Sequence, residues 1–317
     1  MLPSLADVRE AQSRLAGIAN RTPLVRLDLP DAPAEIWLKL ENLQPIGSFK
    51  IRGAANAMAA ISPDHLARGV LTASAGNMAQ GAAWCARASG VPCTVIAPET
   101  APATKLRAIE RLGGKVILVP FDRWWQAFDE RAYPGVDGTF VHAFDDPRVM
   151  AGNGTIGLEI LEDLPDVDAI VVPWGGGGLF SGIAAAVRKA SPRTRLFTAE
   201  CDAGAPLAAS HAAGVPTRVP FRKSFVDGIG GPSVFPAMFE RARALIDGAL
   251  VATVAEIAAA VRVLVERGRV IAEGAGACSL ACALAGGAGD GRVVCVISGG
   301  NMDEAPLRAA LAGRQPS

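Results

Sequence analysis

An α/β protein built on mainly parallel sheets is predicted by three features of this sequence. Short apolar runs alternate with helix-length, alanine-rich segments along most of the 317 residues, and parallel neighbours need helical crossovers between them. The runs are continuous and bounded by Gly and Pro, as suits strands covered on both faces. Half of the residues are hydrophobic and one fifth charged (50% and 20%), a soluble composition that at roughly 100–200 residues per domain makes about two domains.

In chain order the strands are expected at IWLKL (36–40), GVLTA (69–73), CTVIAP (93–98), KVILVP (115–120), AIVVP (169–173), RLFTAE (195–200) and RVVCVIS (292–298). Ser4, Ser48, Ser62 and Thr253 stand where helix N-caps or near-caps are needed. The stretch from Ala169 to Val187 is free of charge and almost long enough to span a bilayer. Pro173 and the run Gly175-Gly176-Gly177-Gly178 would break a spanning helix, so it reads as strand, loop, helix.

Charge and cysteine usage narrow the partners. With 31 basic against 31 acidic side chains and no Lys/Arg cluster, the chain lacks the electrostatic footprint of a nucleic-acid or anionic-membrane binder. Small molecules or other protein chains are expected instead. Cys85, Cys93, Cys201, Cys278, Cys282 and Cys295 form no CxxC pair and read as reduced core thiols. The N-terminus carries no secretion-signal pattern, so a cytoplasmic location is expected.

Lysine is scarce: Lys39, Lys50, Lys105, Lys115, Lys189 and Lys223 are all there are. Lys50 lies in Gly47-Ser48-Phe49-Lys50-Ile51-Arg52-Gly53, after a strand and entering a helix, among small and apolar neighbours that would desolvate its amine. A depressed lysine pKa is what carbonyl chemistry at an amine requires. A second signal is the strand Val171-Val172-Pro173 running through Trp174 into four glycines and a helix. Consecutive glycine N–H groups at a helix N-terminus suit a phosphate, and no Lys-Ser/Thr ending marks a nucleotide loop. Ser74-Ala75-Gly76-Asn77-Met78 opens a helix after another strand and suits a carboxylate. Ser298-Gly299-Gly300-Asn301 puts a hydroxyl at the end of the last strand. Taken singly each reads as a turn; together they are the parts needed to hold pyridoxal phosphate and an amino acid. Gly152-Asn153-Gly154-Thr155-Ile156-Gly157 matches a dinucleotide fingerprint but follows no strand, so close helix packing is expected of it. Trp84, Trp124 and Trp125 read as core or surface, not as pocket lining.

The blocks KLENLQPIGSFKIRGA (39–54), SAGNMAQG (74–81), VPWGGGGL (172–179), EGAGA (273–277) and ISGGNMD (297–303) resemble, in order, those of the fold-type II serine/threonine dehydratases, relatives of serine racemase. The resemblance implies the tryptophan synthase beta-like fold. It implies a large cofactor domain of residues 1–68 and 147–317 and a small domain of 69–146 that carries the carboxylate loop. It implies pyridoxal 5'-phosphate held covalently by Lys50, with Phe49 against the ring. Gly175, Gly176, Gly177 and Gly178 would take the phosphate, Asn77 the ring hydroxyl and Ser298 the pyridine nitrogen. The N–H groups of Ser74, Ala75, Gly76, Asn77 and Met78 would take the substrate carboxylate. The activity implied is loss of water from a β-hydroxy L-amino acid, giving a 2-oxo acid and ammonia, with freed Lys50 as the base for the α-proton. A homodimer is implied, and no C-terminal regulatory domain is expected. The rivals are a β-replacement synthase or racemase of the same superfamily and a non-catalytic amino-acid binding module.

Three departures qualify this. Ala75 stands where racemases place a serine, which favours dehydration. Met78 stands where most relatives have histidine, so a more apolar pocket and a bulkier β-aryl serine such as phenylserine become possible. At the family's cation site Glu200 matches a ligand and Gly204 offers its carbonyl, while Pro206 replaces the second acid and Asp202 is the available substitute.

Overall fold

A computed structural model describes residues 1–316; Ser317, the last position of the larger expected domain, lies outside them. The strands are β1 (Leu24–Arg26), β2 (Glu35–Lys39), β3 (Val70–Ala73), β4 (Cys93–Pro98), β5 (Lys115–Val119), β6 (Thr139–Phe140), β7 (Ala169–Pro173), β8 (Arg195–Cys201), β9 (Gly248–Ala252) and β10 (Arg292–Val296). They form a six-stranded sheet in the order β1-β2-β10-β7-β8-β9 and a four-stranded sheet in the order β5-β4-β3-β6. Among the described residues only β1 and β2 pair antiparallel; the other ladders are parallel.

Every expected strand is present within a residue or two. The three not expected announce themselves poorly: β1 has three residues and β6 two, while β9, although apolar, begins Gly-Ala and is mostly half-buried. The central strands show why the apolar runs are continuous. Ala169 and Val171 of β7, with Val293 and Cys295 of β10, belong to one hydrophobic cluster. The intervening Ile170, Val172, Val294 and Val296 belong to another on the opposite face, as a period of two requires when helices cover both sides.

The caps and the glycine-spaced segment resolve locally. Ser4 and Thr253 form capping boxes, Ser62 is an N-cap without a side-chain bond, and Ser48 stands one residue before the N-cap Phe49. Gly152, Gly154 and Gly157 fall inside the helix Pro147–Asp163. A Cβ on Gly152 would lie 2.3 Å from the Arg52 carbonyl oxygen, and one on Gly154 2.7 Å from that of Gly182. These glycines let backbones approach. The segment 169–187 is strand, loop and helix, and no helix of the described residues is long and apolar enough to cross a membrane. All six cysteines are buried and free.

The helix Lys50–Ala59 sits between the sheets. Its Ile51, Ala54 and Met58 share a cluster with Val70 and Val95 of the smaller sheet. Its other anchor is a buried ionic group. Arg52 donates to Glu41 from Nε at 2.8 Å and to Glu159 from Nη1 at 2.6 Å. Lys39 donates to Glu159 at 2.6 Å, and Thr22 Oγ1 to Glu41 at 2.6 Å. Two cations and two carboxylates, none more than 5% exposed, thus tie the first turn of this helix to β2 and to the helix Pro147–Asp163.

Candidate active site

The loops that follow β3, β7 and β10 meet at the carboxyl ends of parallel strands, the usual place for a ligand in open α/β sheets. They enclose, with the start of the Lys50 helix, a cavity of ≈ 550 Å³ lined by Phe49, Lys50, Ser74 to Met78, Gly175 to Gly178 and Ser298. Every residue expected at the cofactor and at the substrate carboxylate therefore lines one cavity. Glu200 and Gly204 do not.

Lys50 is the first residue of its helix. The strand end holds it there: Phe49 N donates to the Ser298 carbonyl at 3.0 Å, and Ser48 bridges to Gly299. Its Nζ donates to the Ala143 carbonyl at 2.7 Å and lies 5.0 Å from the Phe49 ring centroid. Burial pulls the amine down to about 8, against a smaller opposing pull from Glu273. The sign follows directly: below about pH 8 Nζ is ammonium, above it a free nucleophile, whereas an exposed lysine changes state near 10.5. Borohydride trapping of cofactor on the apoprotein is expected to quicken as pH rises to about 8 and level off above it; a rate still climbing toward 10.5 would contradict this environment.

The glycine turn is sterically obligatory. A Cβ on Gly175 would lie 2.6 Å from the Gly228 carbonyl oxygen, and one on Gly176 2.2 Å from the Phe144 ring. Gly177, at φ +86°, is the N-cap of the helix Gly178–Ala190. The N–H groups of Gly175, Gly176 and Gly177 donate to no group among the described residues, which suits an anion at this helix N-terminus. A phosphate fits this cradle.

At the carboxylate loop the five expected donors are not equivalent. Ser74 N donates to the Ile96 carbonyl at 3.1 Å and Gly76 N to the Ser74 hydroxyl at 3.2 Å. Ala75, Asn77 and Met78 keep their N–H groups at the start of the helix Asn77–Ala88. The Asn77 amide is held at both ends: Oδ1 accepts from Asn301 at 2.8 Å, and Nδ2 donates to Glu273 at 2.8 Å. Glu273 is pushed up to about 8, by burial first and by Asp227 second. Glu273 and Asn301 were not singled out from sequence, although both fall inside the EGAGA and ISGGNMD blocks.

Two sequence readings need correction. Trp124 and Trp125 line the cavity; only Trp84 packs where it was expected, against the core of the smaller sheet. Met78 lines the cavity but is 2% exposed and sits among Ile46, Ile51 and Ala82, so it contributes little wall. The cation site is occupied by protein contacts. Glu200 accepts from Leu207 N at 3.0 Å and Ala208 N at 2.7 Å, capping the helix that Pro206 begins. Asp202 pairs with Arg222 at 2.8 Å and accepts from Val254 N at 3.0 Å. No group of three or more His, Cys, Asp or Glu suited to a metal occurs among the described residues. A hard cation takes six or more oxygens, most of which would have to come here from carbonyls and water; we assign these carboxylates to the protein contacts they make. Chelator treatment of the holoenzyme is expected to leave turnover and melting temperature unchanged; loss of either, restored by a cation, would reverse this assignment.

Comparison with known proteins agrees with this geometry. Residues 15–299 match the family model described as pyridoxal-phosphate dependent enzyme. The chain is 41% identical over 285 residues to an L-threonine ammonia-lyase of Thermotoga maritima, covering 89% of this chain and 71% of that protein. Maize serine racemase superposes with a TM-score of 0.90 at 30% identity over 98% of both chains. The processed form of threonine deaminase isoform 2 from Solanum lycopersicum does so with 0.86 at 30%, over 97% of this chain and 93% of that one. The chain belongs to the pyridoxal-phosphate dependent enzymes, within the fold-type II serine/threonine dehydratase family. Pyridoxal 5'-phosphate is its cofactor.

Proposed function

We propose that the protein eliminates water from a β-hydroxy L-amino acid and releases a 2-oxo acid and ammonia. The observation that carries this is the meeting of a desolvated lysine, a glycine-lined helix N-terminus and a second helix N-terminus with unused N–H groups in one cavity. Bound pyridoxal phosphate supplies an electron sink for charge developing at the substrate α-carbon.

The chain's own groups do the rest. Lys50 Nζ would hold the cofactor and, as a free amine, would take the α-proton, a state that its lowered pKa makes accessible near neutral pH. Gly175 to Gly178 would bind the phosphate through backbone N–H groups, and Phe49 would lie against the ring. Ser298 lies 4% exposed beyond β10 and offers its hydroxyl to the pyridine nitrogen. Asn77, with both ends of its amide held, orients the ring hydroxyl. Ala75, Asn77 and Met78 bind the substrate carboxylate. Ala75 carries no proton for the opposite face, so inversion at the α-carbon is disfavoured.

In this reading residues 1–68 and 147–317 form the cofactor domain, and 69–146 the domain that closes on the amino acid and excludes water. The ion pair of Lys105 with Asp227 spans the two at the cavity rim. A homodimer is carried over from the family resemblance, to be checked by light scattering. A cytoplasmic location is supported by six unpaired, buried thiols. The test of function is 2-oxo acid and ammonia release from L-serine, L-threonine, threo-3-hydroxyaspartate and threo-3-phenylserine, with Lys50→Ala as the blank. Release that is lost in the blank supports the proposal; no release from any of them by cofactor-loaded protein overturns it.

A further inference from the structure

One end of the cavity is walled by aromatic rings drawn from three separate stretches of chain. The helix Phe121–Glu130 supplies Trp124, Trp125 and Phe128; the loop after β6 supplies Phe144; Phe235 precedes the helix Pro236–Ala242. The rings touch in sequence. Trp124 lies 6.0 Å from Phe128, Phe128 5.5 Å from Phe144, Phe144 4.7 Å from Phe235, and Phe235 stacks on Trp125 at 6.0 Å and 18°.

The wall adjoins the lysine and the glycine turn. Phe144 follows the residue whose carbonyl accepts from Lys50, and its ring lies against Gly176. His142 fixes this loop: its Nδ1 accepts from Phe144 N at 3.2 Å and Asp145 N at 2.7 Å. Its ring meets Phe144 edge-on at 4.7 Å and 87°.

A serine or threonine side chain presents a hydrogen or a methyl group at the β-carbon, which would leave these faces against water or empty space and without dispersion partners. Trp125 remains 42% exposed despite its place in the lining, and the buried Trp124 Nε1–H has no acceptor among the described residues. Large apolar surface left open in this way marks a binding site. An aryl ring would join the cluster at the spacing of about 4.5–7 Å that aromatic pairs prefer.

We propose, resting on the dehydratase reading, that this wall receives the β-substituent and that the preferred substrate is a β-aryl-β-hydroxy amino acid such as L-threo-3-phenylserine. Loss of water from it breaks the Cβ–O and Cα–H bonds. Hydrolytic release of ammonia then gives the corresponding 3-aryl-2-oxo acid, with no net oxidation.

The test is kcat/KM of the holoenzyme on the four amino acids named above, joined to binding of L-phenylalanine and L-alanine read by tryptophan fluorescence. Phenylserine is expected to exceed threonine by about tenfold or more, and phenylalanine to bind about tenfold tighter than alanine. Trp125→Ala and Phe235→Leu are expected to reduce the phenylserine-to-threonine ratio by about tenfold, the second variant keeping an apolar filler in case the first misfolds. Preference for serine, threonine or hydroxyaspartate overturns this proposal and leaves the dehydratase reading standing. Absence of turnover on all four overturns that reading; phenylalanine binding no tighter than alanine then overturns the aromatic end as well.

Discussion

Lys50→Ala is expected to lower dehydratase turnover by about 10³-fold or more, because it removes both the covalent tether and a positioned general base. Lys50 has no understudy. The other lysines lining the cavity are Lys105, which is paired with Asp227, and Lys223. Among the described residues it is Lys50 that donates to the Ala143 carbonyl. The fold should survive, since alanine is a good helix former at this first helical position and the substitution removes an amine that burial disfavours in its charged form. Unchanged circular dichroism with cofactor that dialyses away, and turnover at background, is the result expected. A variant that keeps more than about a hundredth of wild-type turnover would take general-base catalysis, commonly about 10²–10⁴-fold, away from Lys50.

Arg52→Ala is expected to destabilise the protein by about 3–5 kcal/mol, the cost of breaking a buried ion pair from one side. The guanidinium reaches Glu41 and Glu159 together, and without it those two carboxylates keep only Lys39 as a buried cation. At about 2–4 °C per kcal/mol for domains of 150–250 residues, a fall of roughly 10 °C in melting temperature should be visible by calorimetry. Cofactor affinity should fall with it, because Arg52 anchors the first turn of the Lys50 helix. Arg52→Lys keeps the charge but not the fork, and should lie between the two. A melting temperature within a degree or two of wild type would mean that water reaches these carboxylates.

The Arg52 cluster and the aromatic wall are both assembled from residues distant in sequence. The block KLENLQPIGSFKIRGA is conspicuous as a motif, yet nothing in its spacing says that Lys39, Glu41 and Arg52 converge. The fourth member, Glu159, is contributed 107 residues beyond Arg52. The wall of the cavity was misread for the same reason. FDRWWQAFDE has the look of an amphipathic surface helix, and Phe144 and Phe235 are isolated aromatics in loops. Only the packing of that helix on the smaller sheet, with the loop residues Phe144 and Phe235 laid alongside, brings the five rings together.

What the sequence determined by itself was whatever depends on neighbours along the chain. Continuous apolar runs between Gly and Pro marked the buried parallel strands, because their faces are covered whichever helix covers them. Glycine runs and small residues after strands marked the anion-binding turns, because backbone N–H groups can converge only where no Cβ intervenes. Tertiary structure alone decided the three unexpected strands, whose pairing comes from the strand alongside. It also decided that Glu200 caps a helix rather than offering free ligands, and that Trp124 and Trp125 face a cavity. Burial, partner and facing direction are set by residues distant in sequence, and no local pattern encodes them.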